Sequence, residues 1–83
     1  MSVTATLTEY LEEQFRNQGD DVSLQPDDDL VELGFDSIAY VRLVAFIKKT
    51  YGLAVPDHDL TLAQFGTLGR IVDYLAANGV GDG

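Results

Sequence analysis

Val3, Leu7, Leu11 and Phe15 recur at every fourth position, and the spacing returns in Leu43, Ile47 and Tyr51. Apolar residues three or four apart fall on one side of an α-helix, whereas a strand would need strict alternation. No alternating run and no Asn-Gly hairpin signal occurs anywhere in the chain. Helices that each bury one stripe against a shared core are therefore the architecture this pattern permits.

The punctuation divides the chain into four helical pieces. The first carries Val3 to Phe15 inward, with Tyr10 alongside and Glu9, Glu12, Glu13 and Arg16 outward, and Asn17-Gln18-Gly19 stops it. Residues 20 to 36 are polar, broken by Pro26 and Gly34, and show no helical period. Leu24, Leu30 and Leu33 are spaced to pin this long loop onto a core, with one short turn near Asp28 to Leu33. The period resumes from Ser37 to Tyr51, where Tyr40, Val44 and Phe46 widen the stripe. Gly52 suits the left-handed position after a helix, and Lys48 and Lys49 complement the negative end of the helix dipole. Val55-Pro56 prevents continuation. Asp57 to Phe65 is expected to form a short helix capped by Asp57 or Asp59 and broken by Gly66. Thr67 caps a last helix with Leu68, Ile71, Val72 and Leu75 on one stripe, ending at Asn78-Gly79. The expected fold is all-α: a small bundle of three main helices and one short one, with a long loop between the first two.

At 83 residues this is one domain spanning 1–83, with an ordered core over about 3–78 and a loose tail over 79–83. There is no cysteine, so neither disulfides nor thiolate metal sites contribute. The N-terminus lacks a basic region followed by an apolar run, and no stretch approaches the ~20 apolar residues of a membrane span. A cytoplasmic location is expected. Five basic and fourteen acidic residues give a net charge of −9, which repels nucleic acid and anionic membrane surfaces.

Ser37, in the stretch G-F-D-S-I, is the residue with most chemical latitude. It can cap the following helix, act as a nucleophile, or offer its hydroxyl for modification. Capping is the ordinary role of such a serine, worth about 1 kcal/mol. Asp36 caps equally well, which would leave the serine hydroxyl free in the first helical turn. An anionic group attached there lies near the positive end of the dipole and unpaired backbone N–H groups. A nucleophile needs a base, and the sole histidine, His58, sits in a solvated P-D-H-D segment; G-F-D-S-I-A is also not a G-x-S-x-G elbow. No catalytic residue is assigned. An EF-hand register starting at Asp27 puts Val31 fifth, Glu32 sixth where glycine belongs, and Ile38 twelfth instead of glutamate. No metal site is assigned either.

With Leu33, Gly34, Asp36, Ser37 and Ile38 in place, the chain resembles the acyl and peptidyl carrier protein family, whose second helix opens at such a D-S-L or D-S-I. Y-G-L-A-V-P-D resembles the segment where that helix ends, and T-L-G-R-I-V-D-Y-L resembles the family's fourth helix. The resemblance runs from about residue 5 to 77. It implies a carrier and not an enzyme. A phosphopantetheinyl transferase would move 4′-phosphopantetheine from coenzyme A onto Ser37, with Asp36 and Gly34 completing the attachment motif. The arm's thiol would hold acyl or aminoacyl groups as thioesters for a loading enzyme and downstream synthase domains, and the carrier would act as a monomer. An unmodified helical adaptor of the same fold is the rival reading.

The chain departs from the fatty-acid-synthase members in one respect. Their second helix is usually acidic, but residues 37 to 51 contain no acid and include Arg42, Lys48 and Lys49. A discrete carrier of polyketide or nonribosomal peptide biosynthesis is expected in preference to a fatty acid carrier. Partner docking is expected at Ile38, Val41, Arg42 and Ala45, on a face rotated from Leu43, Ile47 and Tyr51. Phe35 is expected to pin the loop more than to shield the serine.

Overall fold

The computed structural model describes residues 2–81; Met1 and residues 82 and 83, the end of the tail expected to be loose, lie outside the described residues. It is all-helical: α1 (Val3–Asn17), α2 (Ser37–Tyr51), a single 3-10 turn (Asp57–Asp59), α3 (Leu62–Phe65) and α4 (Leu68–Ala77). No described helix is long and apolar enough to cross a membrane.

Each main helix starts on a side chain that satisfies an otherwise orphaned N–H group. Ser2 accepts from the Ala5 N–H at 2.9 Å, Asp36 from Ala39 at 2.9 Å, and Thr67 from Arg70 at 3.2 Å. Gly52 ends α2 in the left-handed region, at φ 73°, with its N–H donated to the Lys48 carbonyl. The predicted stripes face inward as expected. Val3, Leu7, Leu11 and Phe15 of α1 meet Ala39, Leu43 and Ile47 of α2 and Leu68, Ile71 and Leu75 of α4 in one core. No charged or polar residue is buried among the described residues, and none of their buried side-chain polar atoms lacks a partner.

The long loop is pinned at several points. Leu24, Leu30 and Phe35 are buried, and Leu33 packs partly against the core. Its backbone is also paired: Leu30 donates to the Gly66 carbonyl at 3.0 Å, and Gly69 donates to Pro26 at 2.9 Å. Leu24 N–H donates to the Glu12 carboxylate of α1 at 2.8 Å. The loop is thereby fixed to α1 and to the start of α4.

One detail differs from the sequence expectation. Asp57–Phe65 is not one short helix capped by Asp57 or Asp59. Leu60 leaves helical geometry at φ −82°, ψ 75°, and α3 begins after Thr61. Asp59 is unavailable as a cap because its carboxylate accepts the Tyr74 hydroxyl at 2.7 Å and lies 3.3 Å from His58 Nε2. After α4, Val80 is tied back: its N–H donates to the Leu75 carbonyl at 2.8 Å and its side chain packs on the core.

Candidate functional site

The stretch before α2 is shaped by one glycine. Gly34 sits at φ 103° and its N–H closes a turn onto the Val31 carbonyl at 3.0 Å. A side chain rarely tolerates that conformation. The turn drives Phe35 into the core, where it is 2% exposed and meets Tyr40 edge-on at 4.7 Å. Pinning is thus the structural role of Phe35. Asp36 then emerges in extended geometry and caps α2.

Because Asp36 caps, Ser37 is the first helical residue. It is exposed, and its Oγ makes no hydrogen bond to any described residue. The Ser37 and Ile38 N–H groups likewise have no partner among the described residues, since the first backbone bond into the helix comes from Tyr40 N–H to the Asp36 carbonyl at 3.0 Å. No acidic residue occupies the first turn itself. A phosphodiester on this hydroxyl would meet unpaired donors and the positive end of a 15-residue helix. The residues present fit such a group. The neighbouring Asp36 carboxylate is engaged by the Ala39 N–H.

Ser37 stands at the lip of an open, mainly apolar groove of about 280 Å³ between α2 and α3, lined also by Tyr40, Val41, Leu60, Leu62 and Phe65. The Tyr40 hydroxyl donates to the Phe65 carbonyl at 2.8 Å and locks the groove floor. Burial pushes the Tyr40 phenol above its usual range, with the Asp29 carboxylate adding to the shift. His58 does not line this groove and is paired with Asp59, so the structure does not bring the histidine and the serine together as a catalytic couple.

The structure places the other named residues as follows. Gly34 acts through the turn. Ile38, Val41, Arg42 and Ala45 are all exposed on one side of α2, with Ile38 at 63% and Val41 at 66%, which rules out core packing for both. Leu62, also 60% exposed, joins Val41 on the groove and was not anticipated. A signal existed: Leu60 and Leu62, two apart, cannot both face inward from one helix.

Residues 5–75 match the family model described as phosphopantetheine attachment site. No curated protein matches the sequence. Among solved structures, a chain from the crystal structure of Bradyrhizobium japonicum glycine:(carrier protein) ligase complexed with glycylated carrier protein is similar. Its TM-score is 0.68 at 16% identity, covering 83% of this chain and 93% of that one. Likeness at that identity speaks for a common fold.

Proposed function

The chain belongs to the phosphopantetheine attachment-site family, whose members bear covalent 4′-phosphopantetheine, and from that premise we propose that Ser37 is the residue that carries it. The protein is a carrier and not a catalyst. The observation that carries the assignment is the exposed, unpartnered Ser37 Oγ directly after a residue that has already taken the capping role.

A phosphopantetheinyl transferase bound to this end of α2 can present coenzyme A to Ser37. The Ser37 oxygen forms a bond to the phosphorus bearing the pantetheine, the bond to the adenosine bisphosphate leaving group breaks, and the serine proton passes to a base of the transferase. When bound, the arm supplies the thiol on which acyl or aminoacyl groups are held as thioesters. This chain contributes the tether point, a rigid helix that aims it, and a docking surface at Ile38, Val41, Arg42 and Ala45. Tethering raises the local concentration of cargo at each docked enzyme. Gly34 and Asp36 serve the site by fixing where α2 begins.

The carrier serves a loading enzyme and then downstream synthase enzymes, as a cytoplasmic monomer of polyketide or nonribosomal peptide biosynthesis. Support for this over fatty acid synthesis comes from α2, which lacks the carboxylates that fatty acid partners read. The similar fold seen with a glycine ligase adds support for aminoacyl loading.

Apo protein incubated with coenzyme A and a broad-specificity transferase should gain one phosphopantetheinyl group by intact mass. Ser37→Ala should gain none while melting within about 1 kcal/mol of wild type, because Asp36 still caps. An unmodified wild type, or a modified Ser37→Ala, would refute the assignment.

A further inference from the structure

The outward face of α2 carries an apolar patch and three cations. Ile38 and Val41 are more than 60% exposed, with Ala45 beside them, and Leu62 of α3 extends the patch across the groove. Arg42 lies within this patch, between Val41 and Ala45, and Lys48 and Lys49 lie at the far end of the helix. All three cations are exposed, and none pairs with a carboxylate among the described residues.

That absence of pairing is notable because carboxylates are abundant. Residues 37 to 51 carry three positive charges and no negative one, which leaves −12 on the rest of a chain whose net charge is −9. Helix-end lysines are expected from dipole complementarity alone. Arg42 lies mid-helix, where the dipole gives it no role.

From this arrangement we infer that α2 docks a partner with an apolar pocket at the mouth of the tunnel that takes up the Ser37-borne arm, one carboxylate beside that pocket and others farther along. The spacing follows from helix geometry. Lys48 and Lys49 lie eleven and twelve residues beyond Ser37, about 16–18 Å along the axis at about 1.5 Å per residue. Arg42 lies about 8 Å along, next to Val41 within the apolar patch. The partner's carboxylates therefore stand about 8 to 18 Å from its tunnel mouth. A partner with a basic rim is repelled by the same face, so charge selects as well as binds. This deepens the carrier assignment and rests on it for the location of the tunnel.

The test is an amide-shift NMR titration of the unmodified protein with two synthetic amphipathic peptides. One bears a leucine stripe followed by glutamates, and the other replaces each glutamate with lysine. The acidic peptide should shift amides between Ile38 and Lys49, bind severalfold more weakly as salt is raised, and bind about tenfold more weakly to Arg42→Glu/Lys48→Glu/Lys49→Glu. That factor is the product of three exposed pairings each worth roughly twofold. The glutamine triple at the same positions, gentler on the end of α2, should weaken binding in the same direction. Equal shifts with the lysine peptide, no shifts in α2, or undiminished binding to both triples would overturn the inference. No arm is needed, so failure here and failure of modification at Ser37 are read separately.

Discussion

α1 and α2 are each 15 residues long, each capped by a side-chain oxygen, and each buries aliphatic residues four apart in one core. Their outward faces have little in common. α1 turns Glu9, Glu13 and Arg16 to solvent, as an amphipathic helix on a folded surface should. α2 turns out Ile38, Val41 and Ala45, with Arg42 among them and Lys48 and Lys49 beyond, none paired with a carboxylate among the described residues. Folding requires only the inward faces, so α1 shows what this bundle needs and α2 shows what has been added. Single exposed apolar residues are ordinary, but a patch beside a hydroxyl that no described residue engages is more than stability explains.

The comparison predicts equality inside. Leu7→Ala and Leu43→Ala remove equally buried side chains, both 0% exposed, and each should cost about 2–5 kcal/mol in urea unfolding. A much smaller loss for Leu43 would mean that α2 is only loosely held and that its outer face is a by-product of weak docking. Smaller, and specific to the α2 entry, is Gly34→Ala. A Cβ there meets nothing within 4 Å, so the loss of about 1–2 kcal/mol comes from the backbone at φ 103° alone. The modification rate at Ser37 should fall with it, since the turn sets the helix start.

The tyrosines sharpen the pairing of the two helices. Tyr10 of α1 stacks on Phe46 of α2 at 4.0 Å. Burial raises its phenol above the usual range, Arg42 pulls it back, and Glu13 adds to the rise. The Tyr74 phenol is raised by burial, then by its hydrogen bond to Asp59 and that carboxylate's charge. For a phenol whose folded value exceeds the unfolded one near ~10, the stabilisation is complete below that pH and is lost as pH climbs through the folded value. Phenolate absorbance should therefore lag behind that of the unfolded chain, with stability falling in alkali. Arg42→Ala should push Tyr10 higher still, and an unchanged Tyr10 titration would place Arg42 away from α1.

Much of this was legible in the sequence because the signals were local. Asp36, Gly52 and Thr67 carry their capping chemistry in their own side chains or lack of one, so α2 and the start of α4 follow directly. The break at Leu60 was not legible, because it depends on a hydroxyl from Tyr74, fifteen residues away, claiming the Asp59 carboxylate. The candidate site divides in the same way. Ser37 could be placed from its neighbours, but the groove could not: the spacing of Leu60 and Leu62 says that one of the two faces outward, not which one nor that it stands opposite Val41. An apolar residue there is naturally assigned to a core. Within α3, Phe65 takes the core position at 1% exposed and leaves Leu62 at 60%.

The smallest effect expected on stability is the most discriminating between the helices. Ile38→Ser and Val41→Ser alter exposed positions, so their melts should stay within about 0.5 kcal/mol of wild type, as should that of Glu13→Gln on α1. Transfer onto Ser37 should separate them. Both α2 variants should lower kcat/KM severalfold with the transferase, and the α1 variant should leave it unchanged. Because a transferase must seat on the surface around the hydroxyl it modifies, loss of apolar contact should appear chiefly in KM. If the serine variants instead lose stability while transfer is unaltered, the outer face of α2 is structural, and the contrast between the two helices reflects packing and not recognition.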